Sequence, residues 1–136
     1  MRRRVLRVLC LALALALGAA RAEAGPVAVE VRAAGGSSLG RLVGSIEDRV
    51  AYFALQDVAR LTRGVVRASR DGSRATLVVR GRSVAVRRDS PIVLVDGRTL
   101  GLSGPVRMRQ GVWLVPGDLL VRALPEIGRA SCRERV

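Results

Sequence analysis

The sequence predicts an α+β fold: a small antiparallel β meander of hairpins with two short helices packed on it, and one strand-helix motif used twice. Three observations carry this. Asp71-Gly72 and Asp96-Gly97 each divide two β-branched runs, and Asp-Gly there signals a hairpin because both central residues of the favoured turn need φ > 0. Ala54–Thr62 and Pro116–Leu124 carry apolar residues at helical spacing. Tyr52-Phe53-Ala54 enters the first helix as Leu114-Val115-Pro116 enters the second, at the same offset of 62 residues. Two generic strand-to-helix junctions are the alternative to a repeat.

The elements follow in order. Residues 1–24 have the layout of a secretory signal peptide: Arg-rich Met1–Arg7, apolar Val8–Ala20, then small residues Ala22 and Ala24 before Gly25. Cleavage is expected between Ala24 and Gly25, with cleavage after Ala22 as a variant. An uncleaved anchor is the competing reading, but about 13 apolar residues fall short of the roughly 20 that span a bilayer. No stable membrane span is expected after cleavage.

Residues 25–49 form an N-terminal strand and Gly/Ser loop region. Val27–Arg32 alternates as an edge strand, Ala33–Gly40 is a loop, Leu42–Ile46 is a further strand, and Glu47-Asp48 turns into Val50–Phe53. In the first helix Leu55, Val58, Ala59 and Thr62 share a face, and Gly64 ends the run. From Val65 to Val115 the chain reads as one meander, with weaker turns at Gly81-Arg82 and Gln110-Gly111, and with Ser90-Pro91 and Gly104-Pro105 opening new strands. Pro116 suits the first turn of the second helix, Asp118 its positive end, and Pro125 its stop. Leu119, Leu120, Ala123 and Leu124 supply its buried face. Residues 126–136 change character: they lack an apolar period and resemble a translated vector or adapter scar, so they are expected outside the fold. On that reading the natural protein continues past Pro125; a short disordered native tail is the alternative.

Composition excludes much. The chain contains no His, so a Ser-His-Asp triad, a Cys-His pair and His-ligated metals are excluded. Cys10 and Cys132 lie outside the core region, which leaves it without a disulfide framework. All 24 basic residues are Arg, a mark of GC-rich coding. Residues 25–125 hold 16 Arg and 8 carboxylates, a balance of +8. Such a surface favours polyanions, or it is a compositional, solvated surface.

Four motifs, in order, resemble one family. These are Tyr52-Phe53-Ala54-Leu55-Gln56-Asp57-Val58-Ala59, the Thr76–Val79 and Val84–Val86 hairpin, Val93-Leu94-Val95-Asp96-Gly97-Arg98, and Leu114-Val115-Pro116. Together residues 50–125 resemble the copper amine oxidase N-terminal-like domain, with Ala54 in place of a usual proline and Gly117 in place of a usual leucine. The resemblance implies a non-catalytic module without copper or any other cofactor. In bacteria such modules precede envelope enzymes, notably N-acetylmuramoyl-L-alanine amidases, which cut peptidoglycan.

The leading expectation is therefore an exported accessory module, in the periplasm or cell envelope, attached to a C-terminal catalytic domain. An independent periplasmic or wall-binding protein is the alternative. Arg67, Arg74, Arg80, Arg82, Arg87 and Arg88 are the candidate polyanion-binding residues, because same-parity residues on adjacent strands share a face. An anionic cell-wall polymer or peptidoglycan is the expected partner. Nucleic acid is not, since Tyr52, Phe53 and Trp113 lie in apolar runs suited to the core. No catalytic residue is expected: Asp71 and Asp96 have turn roles, Asp118 a helix-start role, and no carboxylate pair is placed for acid–base work.

Overall fold

The computed structural model describes residues 25–124 and 127–135. The expected signal peptide lies outside these residues, as does Pro125, while Gly25 opens the first strand. Among the described residues the order is β1 (Gly25–Ala33), β2 (Ser38–Glu47), β3 (Val50–Ala54), α1 (Leu55–Thr62), β4 (Val65–Ala68), β5 (Arg74–Val79), β6 (Arg82–Arg87), β7 (Ile92–Val95), β8 (Arg98–Gly101), β9 (Arg107–Arg109), β10 (Val112–Pro116), α2 (Asp118–Ala123) and β11 (Ile127–Arg135). Among the described residues the fold is α+β, with two antiparallel sheets and two short helices. One sheet has the order β11-β1-β2-β3-β10-β9, the other β4-β5-β6-β7-β8.

Period-2 alternation builds the inner faces. Ala75, Leu77 and Val79 of β5 and Val84 and Val86 of β6 point inward and are buried. Leu55, Val58 and Ala59 of α1 meet them, and Leu119, Leu120 and Ala123 of α2, with Leu124 beyond it, join the same contiguous core. Each fully buried Leu or Val contributes about 1.5–3 kcal/mol. Tyr52, Phe53 and Trp113 are buried, as their apolar runs suggested.

Four tight turns have both central residues at positive φ, the signature of the hairpin turn that matches strand twist: Asp48-Arg49, Arg80-Gly81, Asp96-Gly97 and Gln110-Gly111. Two of these correct the reading from sequence by one residue: the turns centre on Arg80-Gly81, not Gly81-Arg82, and on Asp48-Arg49, not Glu47-Asp48. Asp71-Gly72 is also different. It lies in a five-residue loop, Ser69–Ser73, in which Gly72 has positive φ and Asp71 does not.

The helix limits shift as well. Ala54 is the N-cap of α1, and Arg63 is its left-handed C-cap, with Gly64 donating its N–H to the Ala59 carbonyl at 2.7 Å. Pro116 ends β10 and does not open a helix; α2 starts at Asp118, after Gly117. β3 and β10 pair antiparallel with Phe53 opposite Val115, flanked by Ala54 opposite Leu114 and Tyr52 opposite Pro116. Of the residues at the 62-residue offset, Phe53 and Val115 face each other, whereas the antiparallel register sets Tyr52 opposite Pro116 and Ala54 opposite Leu114.

Three larger corrections concern topology. Val65–Val115 is not one meander. β4 to β8 are consecutive neighbours in one sheet, and the chain then crosses to the other, where β9 and β10 pair. The crossing is fixed by Leu102 N–H donating to the Pro91 carbonyl and by paired bonds between Val106 and the Asp89–Ser90 backbone. Gly104 permits it, since a Cβ there would lie 2.7 Å from the Tyr52 hydroxyl. Next, β1 is an interior strand and not an edge, because β2 and β11 flank it. Its Val27, Ala28, Val29 and Val31 are buried accordingly. Finally, residues 127–135 belong to a sheet: β11 pairs with β1 from Val27–Arg135 to Ala33–Ile127, with two register shifts. An open β1 edge offers unsatisfied backbone groups, which pair with an extended segment whatever its side-chain pattern.

Candidate anion-binding face

The five-stranded sheet has one face on the core and one on solvent. Its antiparallel registers line the outer face in rows. One row runs Arg67–Thr76–Ala85–Leu94–Thr99 across β4 to β8. The next contains Arg74 opposite Arg87, beside Ile92 opposite Gly101. Thr76 and Ala85 are short, while Arg74, Arg87, Ile92 and Leu94 are long, so a groove of about 490 Å³ runs over the small residues between them. Ile92 and Leu94 are 53% and 42% exposed, and they give the groove an apolar side.

Of the six candidate arginines, several of which were expected to line one side, the structure brings together three. Arg67, Arg74 and Arg87 share the outer face and are exposed. Arg80 occupies a turn. Arg82 pairs with Val79 and has the parity of buried Val84, so it belongs to the inner-face series at the sheet's end, 3.8 Å from the Asp96 carboxylate. Arg88 lies beyond β6, 4.0 Å from Asp89. Parity separates Arg82, which is even on a strand whose outward positions are odd, while Arg80 and Arg88 fall outside the strands.

Arg74 and Arg87 are directly opposed cations, an arrangement that destabilises a sheet. Among the described residues neither guanidinium, nor that of Arg67, has a carboxylate in an ion pair. The carboxylate nearest Arg74 in sequence is occupied elsewhere. Asp71 Oδ1 accepts from the Ser69 hydroxyl at 2.6 Å, the Ser73 hydroxyl at 2.8 Å and the Ser73 N–H at 3.1 Å. The Ser69 bond first, then those from Ser73, hold the Asp71 carboxyl at about 2, below its ordinary 3.8.

The other sheet treats its charges differently. Arg107 of β9 donates to Glu47 at 3.0 Å and to Asp48 at 2.9 Å, and Arg109 also pairs with Glu47. The Arg107 guanidinium lies 5.1 Å from the centre of the Tyr52 ring. The Tyr52 hydroxyl donates to the Pro105 carbonyl at 2.9 Å. Burial raises the Tyr52 pKa, against the opposing pull of Arg107. The Asp48 bond chiefly raises that of Arg107. Sequence reasoning missed this cluster, whose partners lie about sixty residues apart with no local signal. It also missed Ile92 and Leu94 as groove walls, although Ile92-Val93-Leu94-Val95 is apolar at both parities, the mark of a strand with two apolar faces.

Asp118 accepts from the Ser103 N–H at 2.9 Å and the Ser103 hydroxyl at 3.0 Å, and lies 3.7 Å from Arg122. Asp96 accepts from the Ser83 N–H at 2.9 Å. Both are thus engaged in bonds between elements. Among the described residues, no three His, Cys, Asp or Glu side chains are grouped to hold a metal, and no helix is long and apolar enough to cross a membrane. In comparisons with known proteins, no family model, no curated protein and no solved structure matches this chain.

Proposed function

We propose that this chain is a non-catalytic extracytoplasmic accessory module that holds an anionic envelope polymer on the outer face of its five-stranded sheet. The observation that carries the reading is the Arg74–Arg87 pair: two exposed guanidiniums directly opposed across β5 and β6, with Arg67 on the same face and, among the described residues, no carboxylate in an ion pair with them. Guanidinium groups pair with phosphate and carboxylate, and an anion between them would relieve their repulsion. Export rests on the signal-peptide layout of residues 1–24. Attachment to a cell-wall enzyme such as an N-acetylmuramoyl-L-alanine amidase rests on the resemblance of residues 50–125 to the copper amine oxidase N-terminal-like domain. In that setting the module raises the local concentration of the enzyme at its polymer without chemistry of its own. The strand-helix unit is used twice in this reading, and the facing of Phe53 and Val115 across the β3–β10 pair supports it.

The test is retention on purified peptidoglycan carrying anionic polymer, at low and high salt. Retention should fall steeply with salt, because exposed charges are screened over about 10 Å at 0.1 M. Arg74→Glu with Arg87→Glu should abolish it, and Arg80→Glu with Arg82→Glu should change it little. No retention at low salt would end the proposal.

A further inference from the structure

The face that would bind an anion is not uniformly polar. Arg74 and Arg87 stand at one end of the groove, with Ser90 beside it. Ala75, Thr76, Ala85, Val86, Ile92 and Leu94 line the rest, and Ile92 and Leu94 are large apolar side chains left exposed. A polyanion recognised by charge alone gains nothing from such a wall. The volume, about 490 Å³, is that of a site for one small molecule.

We infer that this groove takes a single anionic amphiphile, a phosphate or carboxylate joined directly to an apolar chain, with the anion between Arg74 and Arg87 and the chain over Ala85, Ile92 and Leu94. The inference rests on the reading above that this face binds anions, and it adds the chemistry next to the anion. Charge complementarity selects the head: among the described residues no carboxylate forms an ion pair with the paired guanidiniums. Position selects the tail. Ile92 stands in the row of the two guanidiniums and Leu94 opposite Ala85 in the next row, so an apolar chain leaving the guanidiniums runs over the short Ala85 and Thr76 with Ile92 and Leu94 as its wall. The site suits one molecule better than a bilayer plane: Arg80 occupies a turn, Arg82 belongs to the inner-face series and Arg88 lies beyond β6, which among the described candidates leaves Arg67, Arg74 and Arg87 on the face.

Calorimetry with the mature chain separates head from tail. The probes are inorganic phosphate, butyl phosphate and octyl phosphate, the last below its micelle concentration, with octyl glucoside as the neutral control. Affinity should rise about two- to fourfold for each methylene that the groove covers. Arg74→Gln or Arg87→Gln should weaken octyl phosphate about tenfold or more. Leu94→Ser, on the solvent face, should flatten the chain-length dependence and leave phosphate binding unchanged. If inorganic phosphate binds as tightly as octyl phosphate, or if Leu94→Ser leaves the chain-length dependence intact, the inference is wrong. Binding only to anionic vesicles, with none to monomeric octyl phosphate, also overturns it. The two proposals fail separately. Peptidoglycan retention that survives without chain-length dependence leaves the polymer reading standing and removes this one. Octyl phosphate binding without peptidoglycan retention does the reverse.

Discussion

The two sheets share one core but dispose of charge in opposite ways. On the six-stranded sheet, Glu47 and Asp48 at one turn meet Arg107 and Arg109 of β9, and Arg107 also lies against the Tyr52 ring. Those charges tie the β2–β3 turn to a strand two neighbours away. On the five-stranded sheet, Arg67, Arg74 and Arg87 point outward from the same face, with Arg74 and Arg87 opposed and, among the described residues, no carboxylate in an ion pair with them. An Arg-rich composition thus splits into arginines that hold the fold and arginines that the fold tolerates. The second kind is where a ligand is to be sought.

The largest expected effect tests what the sheets have in common. Leu77 of β5 and Leu120 of α2 are fully buried in one contiguous core. Leu77→Ala or Leu120→Ala should each cost about 2–5 kcal/mol in chemical denaturation. If one of them melts like the parent, the sheets do not share a core.

The charge contrast itself is tested by a pair of substitutions. Arg107→Ala removes two ion pairs and a cation–ring contact at a partly buried site, and should destabilise by about 1–2 kcal/mol. Arg74→Ala removes only a like-charge repulsion. It should be neutral or stabilising by about 0.5 kcal/mol at low salt, and the gain should vanish as salt rises. Equal losses from both would erase the distinction between the sheets.

Turns provide the next effect, and they also show how far the sequence could be read. Asp96-Gly97 and Gln110-Gly111 were legible because glycine supplies positive φ at no steric cost. The two helices were legible because Leu55, Val58 and Ala59, and Leu119, Leu120 and Ala123, keep helical spacing. Asp48-Arg49 was displaced by one residue because nothing in its chemistry marks Arg49 as left-handed, at φ 65. Arg49→Gly should therefore stabilise by about 0.5–1 kcal/mol. Gly97→Val, at φ +82, should destabilise by about 1–2 kcal/mol in the same assay. The division into two sheets was illegible for a different reason. It depends on bonds between Leu102 and Pro91 and between Val106 and Ser90, which are tertiary pairings with no periodicity. For the site, residue type identified six arginines, but only the strand limits and register show that Arg80 sits in a turn, Arg82 on the inner-face parity and Arg88 beyond β6. The pairing of β11 with β1 depends on an open backbone edge rather than on the side chains of residues 127–135.

The smallest effect concerns Asp71, and it decides whether the outer face stays unneutralised. Asp71 lies in the Ser69–Ser73 loop that leads into Arg74, and in a freely mobile loop this carboxylate would be the natural counter-ion for Arg74. The structure commits it to Ser69 and Ser73 instead. Ser69 is in turn held to Arg74, whose N–H donates to the Ser69 hydroxyl at 3.1 Å and whose carbonyl accepts from the Ser69 N–H at 2.9 Å. The bonds favour the ionised form and bring the Asp71 pKa to about 2 from 3.8. With the folded value below the unfolded one, the loop's contribution is fully present above about pH 4 and is lost as pH falls through about 2. Carboxyl chemical shifts followed by NMR should place the Asp71 midpoint near 2. Ser69→Ala should raise that midpoint towards 3.8, since the first and largest cause of the shift is removed. The released carboxylate could then turn to Arg74, so the same variant should also weaken anion binding on the outer face. A midpoint at the ordinary value in the parent chain would mean that the loop bonds do not hold Asp71 in solution, and that Arg74 has its counter-ion after all.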